Sequence, residues 1–279
     1  MIAGNILELN NIDKLFEYFI QIESKNRILI GGQALFVYAI YYSNDINLQD
    51  LERSAVKSKD LDFASNSDTA QQDYTNFKEL LKQDYPDDSW FLDNIYFKKP
   101  SAFESTPNAA VIVINPDSDS PILIDYLSHI AGVSDGQLAK NKSRLEFKGI
   151  SIPLLSPINL LRSRTANYFE LGYGADKKER ESIRLGVVSR ILGAYISDAI
   201  NAGEIKIART LIQDIYREAC RSNCQKLYTQ IGFDPTTNLP ETDPRLGADF
   251  IDKNLPLIKG KLQDKRKPIT QRISHSLKI

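Results

Sequence analysis

The sequence predicts an α/β (α+β) domain over residues 1–155 and a helical domain over residues 156–279. Three observations carry that prediction. In the first half, short apolar runs ("RILIGG", "KDLDFA", "AAVIVINPD", "PILIDYLSHI") alternate with helical patterns, the signature of a sheet covered by helices. After Ser156 the β-rich runs give way to long helical periodicities. The chain has 279 residues, 42% hydrophobic and 25% charged, which is enough apolar material for two cores.

Taken in order, "NNIDKLFEYFIQIESKN" places Ile12, Leu15, Phe16, Phe19 and Ile22 at helical spacing, with Asn11 as N-cap. "RILIGG" is a short strand that runs into Gly31-Gly32, and "QALFVYAIYY" is a buried helix. Residues 43–58 are polar, with a helical turn near Leu48 and Leu51. "KDLDFA" is the next strand, and "SDTAQQDYTNFKELLKQDY" an amphipathic helix with an acidic or serine cap. "SWFLDNIYFKK", "AAVIVINPD" and "PILIDYLSHI" are β-rich, and the turn chemistry of "NPDSDSP" predicts a hairpin between the last two. "RLEFKGISIPLLS" predicts a second hairpin about Lys148-Gly149. "SPINLLRSRTANYFEL" opens on a serine cap with proline at the first helical position. Two long helical patterns follow, over 176–203 and 204–224, and the tail from Asp252 is basic and lacks apolar periodicity.

No run approaches the roughly 18 apolar residues of a membrane span. The N-terminus has neither a basic start nor a cleavage site, so no leader and a cytoplasmic location are expected. Cys220 and Cys224, four apart on one predicted helix, read as reduced thiols. The only histidines, His129 and His275, stand at no ligand spacing, which argues against a zinc site. The net charge of −1 hides a split. Residues 1–130 hold 20 acidic and 10 basic side chains, and residues 131–279 hold 16 and 25. That division suits a cation-holding half joined to an anion-binding half, and charge alone does not distinguish this from scatter between two surfaces.

The chemistry lies in acidic residues on β-like runs. Asp60 and Asp62 alternate onto one strand face, where adjacent like charges repel. Asp125 falls inside "ILIDYL", where a carboxylate is costly unless paired or metal-bound. Three converging carboxylates call for a divalent cation. Mg2+, a hard ion served by one to three carboxylates and phosphate oxygens, is the natural choice, with Mn2+ as the substitute. Gly31-Gly32, between a strand and a helix start, brings backbone N–H groups close to an anion.

In this order, "ILIGGQALFVYA", "KSKDLDF" and "ILIDYL" resemble the three motifs of the DNA polymerase β-like nucleotidyltransferase superfamily. Within it, the resemblance is nearest to the AbiEii-type toxins of toxin–antitoxin systems, and it spans roughly residues 27–185. It implies a mixed sheet with flanking helices. It also implies metal binding and catalysis by Asp60, Asp62 and Asp125, and phosphate contacts from Gly31 and Gly32. Arg164, in the helix opened by "LSPINLLRSRTANY", stands where the family carries a triphosphate-binding lysine, with Arg162 nearby. Lys177 and Lys178 of "ADKKERES" fill a second basic motif, loosely matched. Between Gly32 and Asp60 lie 27 residues, a longer span than the family has.

The expected activity is transfer of a nucleoside monophosphate from a nucleoside triphosphate to a hydroxyl of RNA, such as a tRNA 3′ end, or of protein. A toxin or phage-defence role with a cognate antitoxin goes with it. One alternative is an inactive nucleotide- or partner-binding protein that keeps the fold. Another D-x-D metal enzyme, a glycosyltransferase or nuclease, fits the strand-Gly-Gly-helix opening less well. Lys59 points away from the D-x-D face and reads as a surface lysine. Tyr168 and Tyr173 read as packing residues and His129 as structural. The basic run 259–268 reads as a solvated tail before an RNA contact.

Overall fold

The computed structural model describes residues 12–22, 27–58, 60–84, 94–96, 108–114, 122–140, 142–147, 149–171 and 174–276. The predicted Asn11 cap, Lys59, Tyr173, Lys148 and the whole 115–121 turn lie outside these residues. The fold is mixed α/β, and the chain divides into two compact units, residues 1–41 with 56–156 and residues 42–55 with 157–279.

The first unit is built on a seven-stranded sheet. Its strands are β1 (Ile28–Leu29), β2 (Leu61–Ala64), β3 (Asn94–Tyr96), β4 (Asn108–Ile114), β5 (Ile122–Leu127), β6 (Lys142–Phe147) and β7 (Ile150–Leu155). Their order is β3-β4-β5-β2-β1-β7-β6. β2 runs parallel to β5 and β1 parallel to β7, and the other neighbours are antiparallel. Both predicted hairpins form, β4 with β5 and β6 with β7. The helices of this unit are α1 (Ile12–Gln21), α2 (Gly31–Tyr41), α5 (Ser67–Asp84) and α6 (Asp135–Lys140).

Strand alternation sorts the two faces of β2 and β5. Leu61 and Phe63 pair in register with Ile124 and Tyr126, and all four are buried. Phe63 and Tyr126 join Phe19 of α1 and Phe77 of α5 in an aromatic cluster, with ring centroids 4.4–5.8 Å apart. A buried ion pair crosses this layer. Arg27 donates to Asp73 at 2.9 Å and to the carbonyls of Phe19 and Ile22, and the Tyr126 hydroxyl donates to Asp73 at 2.9 Å. A buried pair is tolerable when its remaining donors and acceptors are satisfied in this way. Burial, then the Asp73 charge, hold the Tyr126 phenol well above its usual range.

The second unit is helical: α3 (Ser43–Ile46), α4 (Asp50–Val56), α7 (Pro157–Glu170), α8 (Ala175–Asn201), α9 (Ile205–Ala219), α10 (Ser222–Ile231) and α11 (Leu255–Ser276). Three features differ from the sequence expectation. Residues 42–55 belong to this unit, so a single cut at residue 155 does not describe the chain. Arginines of α8 hold that segment. Arg180 and Arg184 donate to the Ala55 carbonyl at 3.0 and 2.8 Å, and Arg190 donates to the Ile46 carbonyl at 3.0 Å and pairs with Glu52. The cysteines do not share a helix: Cys220 caps the end of α9 and Cys224 lies in α10, and both are free thiols. The basic tail is a helix to Ser276. Leu255 and Leu262 are buried, a sparse periodicity hidden among charges. Lys259 pairs with Glu241, and Arg266 pairs with Asp234 and lies over the Tyr228 ring. Among the described residues, no helix is long and apolar enough to cross a membrane.

Candidate functional site

On the face of β2 and β5 opposite the aromatic cluster, Asp62 stands in register beside Asp125. Parallel neighbours in register present their side chains on one face, about 4.8 Å apart across the ladder. Both residues are half-buried. The structure therefore brings together two of the three predicted carboxylates. Asp60 lies in a bend one residue before β2, where its carbonyl accepts a hydrogen bond from the Ser58 hydroxyl at 3.0 Å. Among the described residues, no group of three or more His, Cys, Asp or Glu side chains is arranged to hold a metal ion.

The glycine pair meets this face directly. The Ile30 N–H donates to the Asp62 carbonyl at 2.9 Å, which fixes the end of β1 against β2. The next residue, Gly31, has φ +66°, and α2 begins there. A Cβ on Gly31 would stand 1.9 Å from the Asp62 Oδ2. Only glycine combines that left-handed backbone with that approach. The result is a helix start, with its unpaired N–H groups, set against a carboxylate pair. Gly32 is buried in the same turn. Gln33, which the sequence reading passed over, is 1% exposed, and its buried Nε2 has no hydrogen-bond partner among the described residues. Its place immediately after Gly-Gly was the available signal.

The donor set of this face suits a hard cation: Asp62 and Asp125 supply carboxylate oxygens, and Mg2+ commonly takes one or two carboxylates and completes its shell with phosphate oxygens and water.

The basic candidates lie in the helical unit. Arg164 is 3% exposed, and its Nη1 donates to both oxygens of Glu181. Glu181 also accepts from Arg184 at 2.6 Å. Arg162 donates to Glu218 at 2.7 Å and to Asn159 at 2.9 Å. These arginines thus have internal carboxylate partners, whereas Lys177 and Lys178 are exposed on the first turn of α8. Tyr168 is buried, edge-on to Phe169 at 5.1 Å with Lys178 over its ring, as a packing residue should be. His129 is solvent-exposed.

No protein-family model, no curated protein and no solved structure matches this chain.

Proposed function

We propose that the first unit is the catalytic domain of a divalent-cation-dependent nucleotidyltransferase. The observation that carries this reading is the close approach of Gly31 to Asp62, which sets a helix start against two carboxylates on adjacent parallel strands. The phosphates of a nucleoside triphosphate bind the Gly31 and Gly32 N–H groups at the start of α2. Asp62 and Asp125, with Asp60 beside the mouth of β2, are the side chains that would hold Mg2+ or Mn2+, whose chemistry there is neutralisation of phosphate charge. An acceptor hydroxyl attacks the α-phosphorus. A new P–O bond forms, the bond to the β-phosphate oxygen breaks, pyrophosphate leaves, and the hydroxyl proton passes to Asp125.

The test is pyrophosphate release from each of the four triphosphates with Mg2+, in the presence of RNA or of protein, by wild type, Asp62→Asn and Asp125→Asn. Each variant is expected to lose about 100-fold or more, the scale of a positioned acid–base group. Equal release by Asp62→Asn and wild type, or none by wild type, would sink the reading. The toxin role rests on motif resemblance, and growth arrest on induction of wild type but not of Asp62→Asn is its check.

Two observations favour a second reading, a nucleotide- or partner-binding protein that keeps the fold. No three-carboxylate group exists among the described residues, and Arg164 is committed to Glu181. That protein would gain Mg2+-dependent thermal stability from a nucleotide and release no pyrophosphate.

A further inference from the structure

A hollow of about 580 Å3 is lined by Ala64 and Leu127, two residues along β2 and β5 from the carboxylate pair. Its floor is made by Ile28, Ala64 and Leu127. Ala64 and Leu127 are an in-register pair two residues beyond Asp62 and Asp125, so alternation puts them on the same face. Ile28 pairs with Ala64 from the neighbouring strand. The hollow is therefore the continuation of the Asp62–Asp125 face toward the carboxyl ends of the two parallel strands. That is where open α/β sheets place their ligands. Ile130, Val133 and Leu138 add apolar wall, and Ser65, Asn66, Ser128, His129 and Asp135 supply a polar part of about equal extent. Its volume falls within the ~300–1,000 Å3 of small-molecule sites.

Direction matters for the chemistry. β1 is antiparallel to β2, so Gly31 follows Leu29 and Ile30 toward the amino end of β2, away from Ala64. The α2 start and the hollow thus lie on opposite sides of the carboxylate pair along the strand. In an in-line displacement the attacking oxygen comes from the side opposite the leaving pyrophosphate. With the phosphates at Gly31, the attacking hydroxyl arrives from the hollow.

The lining also selects the acceptor. No lysine or arginine is among the described residues that line the hollow, and Asp135 adds a negative charge. A nucleic-acid end carries phosphates that need cations, whereas an apolar floor with a polar rim suits a ring bearing one hydroxyl. We propose that this hollow, formed by Ala64, Leu127, Val133 and Leu138 beside Asp62 and Asp125, is the acceptor subsite and takes an uncharged phenol or aryl alcohol, as on a tyrosine side chain. The proposal rests on the nucleotidyltransferase reading. The transfer is the one already written, with the phenol oxygen as the attacking atom.

The chain has two histidines, so the His129 ring resonance is read directly by NMR, with His275→Gln to assign it. N-acetyl-tyrosinamide, titrated into the full-length protein, is expected to shift the His129 signal saturably. A short single-stranded RNA with a free 3′ hydroxyl is expected to leave it in place. Ala139, exposed on α6 and lining the hollow, provides the plug. Ala139→Trp should weaken the tyrosinamide response at least tenfold while circular dichroism stays unchanged, with Ala139→Phe as the milder second variant. In the activity arm, a tyrosine-containing peptide should raise pyrophosphate release and free N-acetyl-tyrosinamide should also do so. A response to the peptide alone assigns the source as protein, and a response to both assigns the phenol itself. A His129 shift caused by RNA and not by tyrosinamide, or by neither, overturns the proposal. Asp62-dependent transfer to RNA that Ala139→Trp leaves unchanged overturns it while the transferase reading stands. Saturable tyrosinamide binding without pyrophosphate release from any triphosphate overturns the transferase reading, and the acceptor role falls with it.

Discussion

Replacing Gly31 by alanine adds one methyl group at the point where α2 meets the carboxylate face. Two costs follow from the structure. The backbone sits at φ +66°, where a Cβ costs about 1–2 kcal/mol. The methyl carbon would also stand 1.9 Å from the Asp62 Oδ2, 2.7 Å from its Cγ and 2.9 Å from its Cβ. All three distances are inside van der Waals contact, so either the Asp62 side chain turns away or the start of α2 shifts. Overpacking of this kind costs about 1–3 kcal/mol, which brings the total to about 2–5 kcal/mol from the two ranges together. A double-mutant cycle separates them. In an Asp62→Gly background the three contact atoms are gone, and Gly31→Ala should cost only the backbone part, about 1–2 kcal/mol. The assay is urea denaturation followed by circular dichroism on the four proteins, with midpoints compared at a common slope. If Gly31→Ala costs the same with and without the Asp62 side chain, the two residues are not in contact. The start of α2 is then not held against this carboxylate.

Three further outcomes are expected. Glu181→Gln should destabilise by about 3–5 kcal/mol, because it leaves Arg164 and Arg184 buried against a neutral group. Burial alone would raise the Glu181 carboxyl, but the charges of Arg164 and Arg184 outweigh it and hold it below its ordinary value. The stability it contributes is therefore complete above the unfolded glutamate pKa of about 4.3 and is lost as the pH falls through the lower folded value. The gap between wild type and variant in urea should accordingly close in acid. Burial, with Glu218 adding to it, pushes the Cys224 thiol up to about 12, so Ellman's reagent near pH 8 should label the more exposed Cys220 first and Cys224 only on unfolding. Tyr126→Phe, which removes the hydroxyl donated to Asp73 on the face of the sheet opposite Asp62 and Asp125, should cost about 1–3 kcal/mol by chemical denaturation; no loss would mean that Asp73 is satisfied without it.

Local elements were legible because their signals are local. The helical spacing over Ile12–Gln21 and Ser67–Asp84 and the proline opening α7 each depend on neighbours a few positions away. The strand-Gly-Gly-helix order and the alternation of "KDLDFA" were readable for the same reason, whereas the left-handed backbone at Gly31 is visible only in the structure. Asp60 lies one residue before the ladder, which begins at Leu61, so strand alternation places only Asp62 of the D-x-D pair.

What only the tertiary structure decided were the partners. Asp125 stands beside Asp62 because β5 returns parallel to β2 after a helix and two intervening strands, a register that no local pattern encodes. Residues 42–55 sit in the helical unit because arginines of α8 capture their carbonyls, and nothing within that polar stretch announces it. Arg164, which by resemblance stands at a triphosphate-binding position, is paired with Glu181 on the following helix. Helices and strands follow from side-chain spacing along the chain, whereas charge pairs and strand registers follow from which distant segments come to share a core.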